Sequence, residues 1–140
     1  MKVYKFGGAS VSTADGVRNL RAIVKDEREL FVIVSAMGKT TNALERVFEG
    51  MQTGDRPLSM EHITALRSYH RQMIEELLRT TDHLDSVDAL FAELEHIATE
   101  EEFRGEDAEM WYDRIVSYGE LLSTTIISEF LNASGVANRW

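Results

Sequence analysis

The chain has 140 residues, of which 44% are hydrophobic, enough for one domain with a core. It contains no cysteine, which excludes disulfide bonds and a thiol nucleophile, and no apolar run approaches the roughly 20 residues of a membrane span. A formal net charge of -9 argues against a nucleic-acid-binding surface, which needs a basic patch. We therefore expect a cytoplasmic protein whose partners include neither a membrane nor a nucleic acid.

The chain opens on a short apolar strand that breaks at two glycines. Val3 and Tyr4 lead into the segment Lys5 to Val11, which reads KFGGASV. Glycine lets the backbone turn its N–H groups toward an anion, because no Cβ obstructs the approach. Lys5 would add a positive charge and Ser10 a hydroxyl, so the segment is suited to bind a phosphate group. The alternative is a tight turn after an edge strand, with an incidental lysine.

A helix and a second strand are predicted next. From about Asp15 to Glu27, one stripe of the helix is apolar and consists of Val17, Leu20, Ile23 and Val24. Leu30 to Val34 is a continuous apolar run, typical of a parallel-sheet strand buried on both faces, and it ends in the polar segment SAMGKTTN. Ligands in such α/β sheets bind outside the carboxyl ends of the strands, where both polar loops would lie.

The second loop contains Gly38, Lys39 and Thr40, which suggests a P-loop. A P-loop needs a first glycine five positions before its Gly-Lys pair, and that position is Ile33, inside the strand. The spacing therefore argues against a P-loop.

The middle of the chain is predicted to be a helical excursion from the sheet. Ser59 is expected to cap a helix whose apolar stripe runs to Leu78, and the segment Leu84 to Ala98 repeats the pattern. No metal site is predicted, because none of the four histidines has metal-ligand spacing: His62, His70, His83 and His96. We interpret them as surface or hydrogen-bonded histidines.

A long amphipathic helix is predicted from about Asp107 to Leu131. Apolar residues recur there at three- and four-residue steps: Trp111, Ile115, Tyr118, Leu122, Ile126 and Phe130. Gly119 within it costs about 1 kcal/mol relative to alanine, which indicates close approach of a backbone or a ligand. Glu120 is either a solvated helix charge or the group that holds a substrate's cation. Gly135 is expected to end the helix, before another strand begins.

Three motifs together resemble one family. The segment Lys5 to Val11 is similar to the signature that opens aspartate kinases, which are members of the amino acid kinase superfamily. Ser35-Ala36 followed by Thr41-Asn42 resembles their second loop, and residues 117–123 (SYGELLS) resemble their Ser-x-Gly-Glu-x-x-Ser helix. The order and spacing are compatible over the whole chain. One departure is Ala9, where the family usually has threonine; the side-chain hydroxyl is lost and the backbone N–H remains.

The resemblance implies both a fold and a reaction. The fold is an α/β three-layer αβα sandwich with a mainly parallel sheet and a large helical excursion. The reaction is Mg²⁺-assisted phosphoryl transfer from ATP to the side-chain carboxylate of L-aspartate, giving 4-phospho-L-aspartate, the first step toward lysine, threonine and methionine. Lys5 would be catalytic, and the nucleotide phosphates would be bound by Lys5, Gly7, Gly8, Ala9 and Ser10. Aspartate would be bound by Ser35, Ala36, Thr41 and Glu120.

The resemblance also implies a longer enzyme. Aspartate kinases are expected to continue after the Gly-Glu helix into a nucleotide-binding half and regulatory ACT domains. We therefore expect residues 1–140 to be the incomplete N-terminal portion of the catalytic domain of a homo-oligomer, inactive in isolation. Two alternatives stay open. One is a stand-alone binding or assembly module that has the fold without catalysis, and the other is a sister amino acid kinase with a different substrate.

Overall fold

The computed structural model describes residues 1–79, 84–100, 103 and 105–140. Over these residues, two strands and five α-helices follow one another, with short 3₁₀ turns at Gly8–Val11 and Gly105–Asp107. The elements are β1 (Lys2–Phe6), α1 (Ala14–Val24), β2 (Leu30–Val34), α2 (Thr40–Thr53), α3 (Arg56–Leu78), α4 (Leu84–Glu100) and α5 (Ala108–Ala133). The predicted α/β class and the helical excursion are confirmed.

β1 and β2 form a parallel pair in which Lys2 lies opposite Leu30 and Phe6 lies opposite Val34. One face of the sheet packs against the core through Tyr4, Phe6, Leu30, Val32 and Val34. The other face is open, since Phe31 is 61% exposed and Ile33 is 51% exposed. The prediction that β2 is buried on both faces is therefore wrong for the described chain, because its helices cover only one face of the sheet.

α1 connects the two strands and turns its apolar stripe to the core. The Thr13 hydroxyl caps its first turn by accepting a hydrogen bond from the Gly16 N–H at 3.1 Å. Val17, Leu20 and Val24 are buried, as predicted, whereas Ile23 is 46% exposed. The assignment of Ile23 to the buried stripe is wrong, because at 100° per residue its position lies about 60° outside the arc that the other three residues define.

Helices α2 to α5 pack on one another beside the sheet. Two ion pairs link α3 to α4, Arg67 to Glu95 at 2.9 Å and Arg71 to Asp88 at 3.0 Å. The interior between these helices is apolar and fully buried at Ile63, Phe91, Leu94, Ile115 and Leu122. Among the described residues, no helix is both long enough and apolar enough to cross a membrane.

The start of α3 differs from the prediction. Asp55 caps the helix by accepting a hydrogen bond from the Leu58 N–H at 3.0 Å. Ser59, the predicted cap, is fully buried and donates to the Val47 carbonyl of α2 at 2.8 Å. The prediction was wrong because an aspartate one turn earlier supplies the capping carboxylate, which leaves Ser59 on the face that packs against α2.

α5 confirms the predicted long core helix. All six residues of the predicted stripe are buried: Trp111, Ile115, Tyr118, Leu122, Ile126 and Phe130. Gly135 adopts φ +84° just after the helix, as expected of a terminating glycine. The predicted strand beyond it is absent, because residues 136–140 fold back on α5, where the Asn138 amide donates to the Ser128 carbonyl at 3.2 Å.

Candidate functional site

Two loops leave the carboxyl ends of the strands and lie side by side. The Ser35 N–H donates to the Phe6 carbonyl at 3.0 Å, and the Gly38 N–H donates to the Gly8 carbonyl at 3.0 Å. A Cβ atom on Gly8 would lie 2.6 Å from the Ala36 carbonyl oxygen, so a larger residue would force the loops apart. Both polar loops therefore meet at one edge of the sheet, as their places in the sequence predict.

The first loop presents unpaired backbone N–H groups. The turn Gly8–Val11 begins with the N–H groups of Gly8 and Ala9, which donate to no acceptor among the described residues. At Gly7 a Cβ atom would meet nothing within 4 Å, so space is open beside the backbone there. Ser10 is exposed, and its N–H donates to the Gly7 carbonyl at 3.0 Å. Open space beside unpaired donors is what an anion site requires.

Lys5 is the cation beside this loop. It pairs in register with Ile33 and lies on the open face of the sheet, two residues before Gly7. Its ammonium forms no ion pair with the described carboxylates, whereas Lys2 on the same strand contacts Glu27 at 2.7 Å. The hydrogen bond with Glu27 raises the pKa of Lys2. Of these two lysines, Lys5 is therefore the one whose charge is free to meet an anion.

α5 brings a carboxylate to the second loop. A Cβ atom on Gly119 would lie 2.7 Å from the Ala36 Cβ and 3.4 Å from Leu44 Cδ1, so the glycine allows close packing of α5 on this loop. The predicted close approach is thus a contact between two parts of the protein. Glu120, the next residue, is exposed, and its Oε1 accepts a long hydrogen bond of 3.4 Å from the Ala36 N–H.

Of the hydroxyl groups in the second loop, one is hydrogen-bonded within the protein and two are available to a ligand. Thr40 is buried and donates to the Met37 carbonyl at 2.6 Å, so its hydroxyl stabilises the loop. Ser35 and Thr41 are half-buried, and their hydroxyls make no hydrogen bond with the described residues. Ser123, the last residue of the Gly-Glu motif, is buried and donates to the Glu120 carbonyl at 3.2 Å, within its own helix.

Sequence reasoning missed Tyr69, which lies beside both loops. Its hydroxyl donates to the Ser12 carbonyl at 2.7 Å, and its Oη is the atom nearest to a Cβ built on Gly38, at 3.2 Å. A cleft of about 220 Å³ between α3 and the start of α1 includes Ser12, Tyr69 and Glu76 in its lining. Nothing in the sequence pointed to Tyr69, because helical periodicity does not tell which loop a helix will lie against.

The histidines follow the prediction only in part. His62 is half-buried and His96 is exposed, while His83 lies outside the described residues. His70 is fully buried; its Nδ1 contacts the Leu66 carbonyl at 2.7 Å, but its Nε2 has no hydrogen-bond partner among the described residues. Burial lowers the pKa of His70. Within the described part of the chain, no group of three or more His, Asp or Glu residues is placed to hold a metal ion.

Comparison with known proteins agrees with the motifs. The model of the amino acid kinase family matches residues 1–140. The chain belongs to the amino acid kinase family. Among its curated relatives, the aspartokinase of Chlamydia trachomatis is 37% identical over 129 residues, which cover 91% of this chain and 27% of that protein. Lysine-sensitive aspartokinase 3 of Escherichia coli is 29% identical and is matched over 99% of this chain and 30% of its own length.

Solved structures show the same likeness in three dimensions. The crystal structure of E. coli aspartokinase III in complex with aspartate and ADP (R-state) superposes with a TM-score of 0.79 at 28% identity, covering 100% of this chain and 30% of that one. The structure of the same enzyme with lysine and aspartate (T-state) gives a TM-score of 0.78 at 27% identity. The resemblance to aspartate kinases is confirmed, and this chain spans 27% of the length of the C. trachomatis aspartokinase and 30% of that of E. coli aspartokinase 3.

This amino acid kinase chain brings its predicted site residues to one edge of the sheet. Four of them form the first loop and its approach: Lys5, Gly7, Gly8 and Ala9, with Ser10 in the same turn. Ser35, Ala36 and Thr41 belong to the second loop and the start of α2. Glu120 joins them from α5 through Ala36. Backbone hydrogen bonds join the two loops, and the carboxylate of Glu120 reaches the second loop.

Proposed function

We propose that this chain supplies the phosphate-binding loop and the aspartate-binding loop of an aspartate kinase. Its membership of the amino acid kinase family and its similarity to aspartokinases over the whole chain support the proposal. The observation that carries it is the placement of the Glu120 carboxylate at the Ala36 N–H, next to two loops rich in donors. A single anion among donors suits a ligand with one cationic group and several anionic groups.

Aspartate has that distribution of charge, with two carboxylates and one ammonium. Glu120 would accept hydrogen bonds from the α-ammonium, since its carboxylate is exposed and makes only one long hydrogen bond. Ser35 and Thr41, whose hydroxyls have no other partner among the described residues, would donate to a carboxylate. A charge-assisted hydrogen bond is worth roughly 1.5 to 3 kcal/mol, enough to select the amino acid over an acid without the ammonium.

The reaction would be transfer of the γ-phosphoryl group of ATP. An oxygen of the aspartate side-chain carboxylate forms the new bond to phosphorus, the bond from phosphorus to the departing ADP oxygen breaks, and 4-phospho-L-aspartate and ADP result. Positioning and charge stabilisation dominate such transfers. Lys5 would stabilise the charge on the phosphoryl oxygens, while the N–H groups of Gly7, Gly8 and Ala9 and the hydroxyl of Ser10 would bind phosphate oxygens.

Mg²⁺ fits this scheme as a partner of the nucleotide. When bound, it would neutralise phosphate charge and bridge phosphate oxygens. The described residues hold no cluster of acidic ligands, so the ion would be bound through phosphate oxygens and water on this side of the site. The chain spans less than a third of the length of these aspartokinase relatives, and we propose that the remaining nucleotide contacts lie outside residues 1–140.

Other features of the whole protein stay predictions. We expect residues 1–140 alone to be inactive, because they would supply only part of the positioning on which the reaction depends. A homo-oligomeric state, a cytoplasmic location and a place at the start of lysine, threonine and methionine synthesis follow from the same proposal.

The proposal is tested with the full-length encoded protein. ADP release is measured in a coupled assay with ATP, Mg²⁺ and single amino acids, and the acyl phosphate is trapped with hydroxylamine. We expect ADP release and hydroxamate formation that both depend on aspartate. Dependence on another acid would instead identify a sister amino acid kinase, and no release with any acid would indicate a non-catalytic module.

A further inference from the structure

Tyr69 of α3, in the helical excursion, lies against both loops of the site. Its hydroxyl donates to the Ser12 carbonyl at 2.7 Å, immediately after the turn of the first loop. The same hydroxyl lies 3.2 Å from the position that a Cβ on Gly38 would occupy in the second loop. One side chain therefore fixes the end of the first loop while lying against the second.

Both contacted points matter for the geometry of the loops. Ser12 also donates through its hydroxyl to the Ala9 carbonyl at 2.9 Å, so its position is linked to the turn that holds the unpaired N–H groups. Gly38 adopts φ +56°, and its N–H donates to the Gly8 carbonyl at 3.0 Å, which is the bond that joins the loops. A displacement at either point would change where the N–H groups of the first loop lie.

Tyr69 is itself held firmly. His70, the next residue, is fully buried, and its ring lies 5.7 Å from that of Phe91 on α4 and 5.1 Å from that of Tyr69, edge to face in both cases. Arg18 of α1 donates to the Glu76 carbonyl of α3 at 2.7 Å, which fixes α3 against α1 about two turns beyond Tyr69. Burial raises the pKa of Tyr69, so its hydroxyl stays protonated and remains a donor at neutral pH.

We propose that Tyr69 is a positioning residue for phosphoryl transfer, which acts by bonding the Ser12 carbonyl and lying beside Gly38 so that the two loops keep their alignment. The inference rests on the proposed kinase function and adds to it a role for the helical excursion. Tyr69 touches neither substrate in this account; it acts through the backbone. Its loss would therefore reduce turnover more than it would weaken aspartate binding, because small displacements of catalytic groups are costly for rate.

The test compares Tyr69→Phe with Tyr112→Phe in the full-length protein. Tyr112 is the matched control, because its hydroxyl also makes one hydrogen bond, to Glu45 at 2.8 Å, away from both loops. We expect Tyr69→Phe to lower kcat about tenfold with the KM for aspartate changed less than threefold, and Tyr112→Phe to change neither. Equal kcat in Tyr69→Phe and the wild type would overturn the positioning role, even if the melting temperature fell.

Amide hydrogen exchange separates this inference from the proposed function. We expect the Gly38 N–H to exchange faster in Tyr69→Phe than in the wild type or in Tyr112→Phe, because its bond to Gly8 is no longer supported. Absence of aspartate-dependent activity in the wild type would defeat the proposed function, and the exchange result would still decide whether Tyr69 holds the loops. Unchanged exchange at Gly38 would contradict the inference in either case.

Discussion

The strand-end loops and the helical excursion use their polar residues in opposite ways. In α3 and α4, charged side chains pair with each other, as Arg67 does with Glu95 and Arg71 with Asp88. At the strand ends, Lys5 has no ion pair with the described residues, and Glu120 makes one long hydrogen bond to a backbone N–H. The loops are instead held together by backbone hydrogen bonds, from Gly38 to Gly8 and from Ser35 to Phe6.

This difference separates groups that stabilise from groups that remain available. A paired charge on a helix surface contributes modestly to stability and has little left for a ligand. An unpaired cation, unpaired N–H groups and free hydroxyls at one sheet edge contribute little to folding, because none of the described residues pairs with them. Substitutions of these available polar groups should therefore change activity with little change in stability, and substitutions of the paired charges in the excursion should do the reverse.

The largest expected effect comes from Lys5→Ala. Loss of the ammonium should lower kcat of the full-length protein at least a hundredfold, since one such electrostatic contact typically contributes about 2.7 to 4 kcal/mol to the transition state. The melting temperature should not change, because Lys5 is exposed and unpaired. Lys25→Ala, at another exposed lysine, should leave kcat unchanged. Turnover of Lys5→Ala within threefold of the wild type would make Lys5 an ordinary surface charge.

Glu120→Gln should have the next largest effect, and it should affect only the kinetics with aspartate. The efficiency with aspartate should fall by one to two orders of magnitude, in line with loss of a charge-assisted hydrogen bond of roughly 1.5 to 3 kcal/mol. The KM for ATP should stay nearly constant in steady-state kinetics. Glu109→Gln, at an exposed carboxylate in the first turn of the same helix, is the control and should behave as the wild type. A raised KM for ATP would instead show that Glu120 contacts the nucleotide.

The two glycines of the first loop should respond differently to alanine. Gly8→Ala places a methyl group 2.6 Å from a backbone oxygen and should destabilise the fold by about 1 to 3 kcal/mol. In Gly7→Ala the added methyl group meets nothing within 4 Å, so the free energy of unfolding should stay within about 0.5 kcal/mol of that of the wild type. The variant should nevertheless lose activity, because the methyl group occupies the open space beside the N–H groups. Chemical denaturation and the ADP assay measure both. Equal stability of the two variants would contradict the loop packing described here.

The smallest predicted effect is a pH dependence of stability due to His70. Its pKa is lowered from 6.5 by burial, so the unfolded chain binds a proton more readily and stability should fall as the pH drops below about 6.5. In urea titrations, His70→Gln should flatten the decline between about pH 6.5 and 5, and His96→Gln should not. If stability fell with pH as steeply in His70→Gln as in the wild type, the fall in stability would be due to other groups.

The sequence predicted the parts of the site that depend on local patterns. Strand ends followed by glycine or small polar residues located both loops, and the apolar stripe of α5 predicted the helix that carries Gly119 and Glu120. The predictions that were wrong depended on packing between elements. The exposure of Ile23, the burial of Ser59 and the open face of β2 are set by which helix lies against which surface, and local periodicity does not contain that information. Tyr69 was missed for the same reason, since its partner Ser12 is far away in sequence.

The central claim is that Glu120 at the edge of the paired loops binds the ammonium of aspartate, and succinate tests it most directly. Succinate has both carboxylates of aspartate and lacks the ammonium, so the affinities of the full-length wild type and of Glu120→Gln for the two ligands form a complete cycle. We expect the substitution to weaken aspartate binding by roughly 10- to 100-fold and to leave succinate binding unchanged, so that the preference for aspartate largely disappears. Equal losses for both ligands would show that Glu120 does not contact the ammonium and would contradict the account.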